Sequence, residues 1–138
     1  MQHSPGFLKL VNDAKAHVKE TNVAGYKEML ARGETPILVD TREDNEFAAG
    51  HVKGAVHLSR GIIERDIEKQ YPDKATPLVL YCGGGFRSAL VAENLGSIPP
   101  NTSYLVAVVG NKKYDGRLFA DEHSSALIRF VKDGKKSE

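Results

Sequence analysis

Short apolar runs, separated by segments with helical spacing, occupy the middle of the chain. These runs predict four strands: ILV at 37–39, AVHL at 55–58, LVLYC at 78–82 and YLVAVV at 104–109. Two of them, ILV and LVLYC, show no alternation of apolar and polar residues, which is typical of strands covered on both faces in a parallel sheet. We therefore predict an α/β domain with a mostly parallel central sheet and helices on both faces.

The amino-terminal part of the chain shows helical periodicity. Apolar residues from Phe7 to Val18 recur at helical spacing, which predicts an amphipathic helix that packs either on its own chain or on a second copy. A second helix is predicted in VAGYKEMLARG at 23–33, where Gly33 provides a stop. We therefore predict an amino-terminal helical extension over residues 1–21 and a single domain over residues 22–138.

Helices are also predicted between the later strands. They lie in REDNEFAAG at 42–50, RGIIERDIEKQY at 60–71 and RSALVAENLG at 87–96. Thr41 is expected to cap the first of these helices, and Gly96 is expected to close the third. Apolar spacing in DEHSSALIRFVKDG, at 121–134, predicts a carboxyl-terminal helix that contains Ala126, Leu127, Phe130 and Val131.

Charge and composition limit the classes of partner. Nineteen Lys and Arg against eighteen Asp and Glu give a net charge of +1, so no nucleic-acid partner is expected. No apolar run approaches the roughly 20 residues of a membrane helix, so no membrane partner is expected either. The opening segment lacks the features of a secretory signal, and the single cysteine cannot pair within its chain. Both observations favour a reducing, cytoplasmic location.

The stretch YCGGGFRSAL, at 81–90, carries the strongest chemical signal in the sequence. It places Cys82 at the end of a predicted buried strand, before three glycines, and Arg87 at the start of a helix. Glycines accept backbone angles that let N–H groups converge on an anion, and the helix dipole and the guanidinium add positive charge. Such surroundings favour thiolate over thiol and make Cys82 a nucleophile. The alternative is a small buried residue beside a tight turn, but such a turn needs only one or two glycines.

Two segments together resemble the rhodanese-like sulfurtransferase family. Cys82, four further residues, Arg87 and then Ser88 resemble that family's active-site loop. The segment VDTREDNEFAAGHVKGAVHL, at 39–58, resembles its second signature: an Asp and an Arg after a strand, an acidic–aromatic pair, then Gly-His-x-x-Gly-Ala. The matching residues are Asp40, Arg42, Glu46, Phe47, Gly50, His51, Gly54 and Ala55. The resemblance covers roughly residues 20–96 and implies a rhodanese-like α/β domain.

The resemblance implies a rhodanese-type thiosulfate sulfurtransferase that needs no metal or organic cofactor. Cys82 would accept a sulfane sulfur from a small anionic donor such as thiosulfate, form a persulfide, and pass the sulfur to cyanide, a small thiol or a protein thiol. Arg87 is implied to be catalytic, either by buttressing the loop or by meeting the negative charge of the donor. The implied substrate-binding residues of the loop are Gly83, Gly84, Gly85, Phe86 and Ser88.

Polar residues near the ends of the predicted strands are further candidates for the site. Arg42 and Arg60 each either bind an anionic donor or belong to a helix start, since ligands gather at the carboxyl ends of parallel strands. Asp40 is expected to be structural, as the partner of an ion pair. His51 is expected to fix a loop by a hydrogen bond, because a preformed thiolate needs no general base. The scattered histidines and the single cysteine do not suggest a metal site.

Other functions compete with sulfur transfer. A cysteine-dependent phosphatase or arsenate reductase would use a similar cradle, but phosphatases of this chemistry have five residues between Cys and Arg, whereas four separate Cys82 from Arg87. A non-catalytic rhodanese module, acting as a binding or regulatory surface, is a second alternative. A redox sensor is a third, and it would need an external thiol. The closing unit after about residue 96, in particular 97–123, is atypical because it lacks the family's usual Gly-Gly pair and Trp.

Overall fold

Strands and helices alternate along much of the chain in a computed structural model that describes residues 3–83, 85–96, 105–109 and 130–131. The helices are α1 (Pro5–Lys15), α2 (Val23–Ala31), α3 (Asp44–Ala49), α4 (Ile63–Gln70) and α5 (Phe86–Leu95). The strands are β1 (Lys19–Thr21), β2 (Ile37–Asp40), β3 (His51–Val52), β4 (Val56–His57), β5 (Pro77–Tyr81), β6 (Leu105–Val109) and β7 (Phe130–Val131). All four strands predicted from the apolar runs are present.

A parallel sheet forms the centre of the fold. Within the described residues it contains five strands in the order β1-β6-β5-β2-β4. Asp40, at the end of β2, lies opposite Tyr81 in β5 on one side and His57 in β4 on the other. The carboxyl ends of these three strands therefore meet at one edge of the sheet. The arrangement confirms the predicted α/β class with a mostly parallel sheet.

Both faces of the central strands are covered, as the absence of alternation predicted. Leu38 and Val39 in β2 are 5% and 0% exposed, so neighbouring residues on opposite faces are both buried. One face packs against α4 and α5, and the other packs against α2 and β3. The first of these cores contains Val39, Leu78, Leu80, Ile63, Ile67, Val91 and Leu95, and the second contains Leu38, Val79, Tyr81, Tyr26 and Val52.

Helix α1 packs on α5 of the same chain. Val11 and Ala14 on α1 form a buried cluster with Leu90 on α5. The strand β1 follows this helix and lies within residues 1–21, for which the sequence predicts only a helix. Its residues, KET, are polar and carry no strand periodicity. They form an edge strand because β6 offers them backbone hydrogen bonds in parallel register.

The start of α3 differs from the prediction. Its N-cap is Glu43, which forms a capping box with Glu46. Thr41 was wrongly expected to cap this helix; its hydroxyl donates to the Tyr81 carbonyl at 3.0 Å and is buried beside β5. The end of α2 was predicted correctly, because Gly33 adopts a φ of 84° and its N–H bonds the Leu30 carbonyl.

The carboxyl-terminal helix prediction is wrong at residues 130–131. These residues form β7, which pairs antiparallel with β3, so a strand partner takes precedence over helical spacing. The remainder of the predicted helix lies outside the described residues, as does the segment 97–123 apart from β6.

Gly96 closes α5 as predicted, with its N–H bonded to the Ala92 carbonyl. Within the described part of the chain, no helix has the length and apolar character needed to cross a membrane.

Candidate active site

Cys82 lies directly after β5 at the carboxyl edge of the sheet, and its side chain is directed into the loop that follows. Its Sγ accepts hydrogen bonds from the N–H groups of Gly85, at 3.2 Å, and Ser88, at 3.4 Å. The Ser88 hydroxyl lies 3.5 Å from Sγ, so the pair shares a hydrogen bond in which the hydroxyl donates when the sulfur is ionised. Backbone N–H groups at a helix start stabilise negative charge. This cradle therefore suits an anionic sulfur.

Glycine at position 85 shapes the cradle. Gly85 is the N-cap of α5 and has a φ of 90° and a ψ of 2°, a left-handed conformation that other residues rarely adopt. At this turn the Gly85 and Ser88 amides both face Cys82 Sγ. Gly84 lies outside the described residues, and Gly83 is partly buried. The expectation that Gly83 and Gly84 also bind substrate stays a prediction.

Arg87 is bound to Glu46 of α3 by a two-pronged ion pair. Its Nη1 and Nη2 atoms donate to Oε1 and Oε2 at 2.6 and 3.1 Å. The hydrogen bond to Glu46 raises the pKa of Arg87 against the effect of burial, and the charge of Cys82 adds to the increase. The same bond lowers the pKa of Glu46. In this geometry, Arg87 buttresses the loop against α3.

No role was predicted for Glu46 from the sequence. The residue matched the second signature, but its partner is 41 positions away, and only the fold brings the two side chains together. The available signal was an acidic residue placed near a predicted anion site. Such a residue repels the anion unless a cation neutralises it, so a partner such as Arg87 could have been inferred.

Arg42 and Asp40 form the ion pair that was expected of Asp40. The Asp40 carboxylate is fully buried and accepts from Arg42 at distances between 2.8 and 3.1 Å. The Arg42 guanidinium also donates to the Gly50 carbonyl at 2.6 Å. Burial lowers the pKa of Arg42, but the hydrogen bond and charge of Asp40 outweigh it and raise the pKa overall. The guanidinium is thus bound to structural partners, and its role toward a donor stays a prediction.

Arg60 lies at the same edge of the sheet and is exposed. Its backbone N–H donates to the Thr41 carbonyl at 3.1 Å, and the Thr41 N–H donates to the Tyr81 carbonyl at 3.0 Å. Tyr81 directly precedes Cys82. Two backbone hydrogen bonds, through Thr41, therefore connect the loop that carries Arg60 with the strand that precedes the cysteine.

His51 fixes a loop, as predicted. Its Nδ1 donates to the Phe47 carbonyl at 2.8 Å, and its ring stacks on the Phe47 ring with centroids 3.6 Å apart. The His57 ring also stacks on Phe47, at 4.4 Å, and its Nε2 donates to the Arg42 carbonyl. These histidines therefore order the turn after β2 and the turn after α3. Among the residues that the structure describes, no cluster of His, Cys, Asp or Glu is suited to hold a metal ion.

The fold and the site together define a class: a cysteine-dependent α/β domain with an anion cradle at the end of a central parallel strand. The family model of the rhodanese-like domain matches residues 22–107, and the chain belongs to this family. The match includes the Cys82 loop and the Asp40–Ala55 segment. It begins after α1 and β1.

Named relatives agree with this assignment. YtwF of Bacillus subtilis, named for a sulfurtransferase activity, is 37% identical over 78 residues, which are 56% of this chain and 74% of YtwF. The thiosulfate sulfurtransferase GlpE of Pseudomonas entomophila is 36% identical over 58 residues, 42% of this chain and 53% of GlpE, so the chain spans about half of that relative. A rhodanese-like domain protein of Staphylococcus aureus has a TM-score of 0.62 at 26% identity, covering 78% of this chain and 97% of that protein. The relatives support a sulfurtransferase activity in the broad sense.

Proposed function

We propose that the protein is a thiosulfate sulfurtransferase that carries sulfur as a persulfide on Cys82. The observation that carries the proposal is the pair of amides, from Gly85 and Ser88, directed at Sγ. The same amides that stabilise a thiolate also stabilise the charge that remains on sulfur through the transfer. Among the relatives, GlpE is named for thiosulfate, which supports this choice of donor.

The reaction consists of two balanced displacements. The Cys82 thiolate attacks the sulfane sulfur of thiosulfate; an S–S bond to Sγ forms, the sulfur–sulfur bond of the donor breaks, and sulfite leaves with the electron pair. An acceptor thiolate or cyanide then attacks the outer sulfur of the persulfide. This step releases a new persulfide or thiocyanate and regenerates the Cys82 thiolate. No external oxidant or reductant is needed.

Different arginines take different roles in this proposal. Arg87 is paired with Glu46 and Arg42 with Asp40, with nitrogen–oxygen distances of 2.6 and 2.8 Å. Each of these arginines therefore already has a neutralising partner. Arg60 has no carboxylate partner within the described residues, and its backbone is connected to the strand that precedes Cys82. Arg60 therefore binds the anionic donor, while Arg87 positions the loop.

We propose that the acceptor is external to this chain, either a thiol or cyanide. The sequence contains one cysteine, so no second thiol of this chain can take the sulfur from Cys82. A small thiol or a protein thiol stays reduced, and available to attack a persulfide, in a reducing compartment. We therefore propose that the reaction takes place in the cytoplasm.

Intact-mass measurement after incubation with thiosulfate tests the main proposal. The wild-type protein is expected to gain one sulfur atom and to lose it on addition of cyanide, with formation of thiocyanate. Cys82→Ser is the matched control and is expected to gain none. Hydrolysis of a phosphate ester without a sulfur adduct would instead support the phosphatase. The absence of both the sulfur adduct and phosphate-ester hydrolysis would support a non-catalytic module.

Steady-state kinetics of Arg60→Gln test the donor site. Loss of one charge contact to thiosulfate is expected to raise KM about 3–10-fold with a smaller change in kcat. Arg32→Gln removes the same charge from an exposed position at the end of α2, far along the chain from the loop, and is expected to leave KM unchanged. An unchanged KM in Arg60→Gln would exclude Arg60 from donor binding.

A further inference from the structure

The active-site loop is also held by residues that lie outside the family match. The Phe86 ring, between Gly85 and Arg87, is contacted by residues at the amino terminus. The His3 ring meets the Phe86 ring edge-on, with the ring centroids 4.8 Å apart, and the Phe7 centroid lies 6.1 Å from that of Phe86. The Lys15 ammonium lies 5.0 Å from the Phe86 centroid. These contacts come from residues 3–15, whereas the family match begins at residue 22.

The loop needs such an anchor because its own sequence does not restrain it. Three consecutive glycines precede Phe86, and glycine gives the backbone more conformational freedom than any other residue. Phe86 lies between the amides of Gly85 and Ser88, which donate to Cys82 Sγ. Fixing the Phe86 ring therefore restrains the backbone that connects these donors.

Helix α1 is attached firmly enough to serve as this anchor. Val11 and Ala14 pack against Leu90, one helical turn after Phe86 on the same face of α5. Lys15 also pairs with Glu20 at 3.5 Å, which restricts the ammonium that faces the Phe86 ring. The residues that contact Phe86, which are His3, Phe7 and Lys15, are therefore held in place by the packing between α1 and α5.

We propose that Phe7 is a positioning residue for the sulfur cradle. Together with His3 and Lys15 it holds Phe86, and through Phe86 it keeps the Gly85 and Ser88 amides directed at Cys82. The kinetic part of this inference rests on the proposed sulfurtransferase function. The structural part does not depend on it.

Amide hydrogen exchange measures the structural part directly. In Phe7→Ala, loss of an aromatic contact is expected to accelerate exchange at Gly85 and Ser88 about 3–10-fold, while the Val79 amide in β5 keeps its wild-type rate. In a Phe86→Ala background, Phe7→Ala is expected to cause no further acceleration of exchange at Gly85 and Ser88. Leu10→Ala, at a side chain 61% exposed on the same helix, is the control and is expected to change none of these rates.

Some outcomes of the exchange experiment contradict the inference. Equal acceleration at Gly85, Ser88 and Val79 would show that Phe7 only contributes to overall stability. Wild-type exchange at Gly85 and Ser88 would show that α1 does not restrain the loop. Both results are readable whether or not the protein transfers sulfur.

Turnover of thiosulfate with cyanide measures the kinetic part. Phe7→Ala is expected to lower kcat about 3–10-fold with little change in KM, and Phe7→Tyr is expected to restore it, because the aromatic contact with Phe86 returns. A wild-type kcat in Phe7→Ala would overturn the inference even if exchange is faster. Absence of a persulfide in the wild-type protein would instead overturn the proposed function and leave the exchange result to decide the role of Phe7.

Discussion

Replacing Glu46 with glutamine removes the charge that holds Arg87 and keeps an oxygen that can accept from the Glu43 N–H in the capping box. The ion pair has good geometry, but the two side chains are 28% and 33% exposed, so solvent screens it in part. Hydrogen bonds to charged groups contribute about 1.5–3 kcal/mol, and exposed pairs contribute less than about 1 kcal/mol. Glu46→Gln is therefore expected to destabilise the protein by about 1–1.5 kcal/mol, which lowers Tm by roughly 3–5 °C in a chain of this size.

The effect of Glu46→Gln is expected to depend on pH. The hydrogen bond to Arg87, opposed by burial, lowers the pKa of Glu46 below its ordinary value of 4.5. The stabilisation by the folded carboxylate is therefore fully present above that value, and it is lost as the pH falls from 4.5 through the lower folded pKa. The difference between wild type and variant should be constant near neutral pH and should shrink in acid.

Urea unfolding at several pH values, followed by circular dichroism because the chain has no Trp, measures this difference. Asp13→Asn breaks an ion pair with Lys9 at 3.0 Å in which both side chains are more than half exposed. This control is expected to change stability much less. A Glu46→Gln variant as stable as wild type at pH 7, or a deficit that persists undiminished in acid, would refute the reasoning.

Other contacts can be tested by urea unfolding of single variants. Gly85→Ala places a side chain on left-handed backbone and is expected to destabilise by about 1–2 kcal/mol and to slow persulfide formation. Arg42→Ala leaves the buried Asp40 carboxylate without its cation and is expected to cost about 3–5 kcal/mol. Tyr81→Phe removes the acceptor of the buried Val52 N–H and is expected to destabilise by about 1–3 kcal/mol. Wild-type stability in any variant would contradict the contact that it tests.

Features with a strong local signal could be predicted from the sequence. The continuous apolar runs at 37–39 and 78–82 gave the buried strands β2 and β5, because burial on both faces leaves no room for polar side chains. The position of Cys82 followed from the end of the second run. His51 was correctly assigned a loop-fixing hydrogen bond, on the argument that a preformed thiolate would need no general base.

Features that depend on distant partners could not be predicted in this way. The polar strand β1 exists because β6 lies beside it, and β7 replaces the predicted helix because β3 offers a partner. The Thr41 hydroxyl donates to the Tyr81 carbonyl and therefore does not cap α3. The bond between Glu46 and Arg87 connects two signatures that the sequence shows only separately. Each of these outcomes is decided by tertiary neighbours.

The position of β6 bears on how the chain reaches its native state. This strand pairs with both β1 and β5, although it follows β5 by more than twenty residues along the chain. Until residues 105–109 have been synthesised, one edge of the apolar β5 has no partner, and such an edge is a template for pairing with other chains. Pairing with β6 therefore removes this template, and it also joins β1 to the described sheet next to the strand that precedes Cys82.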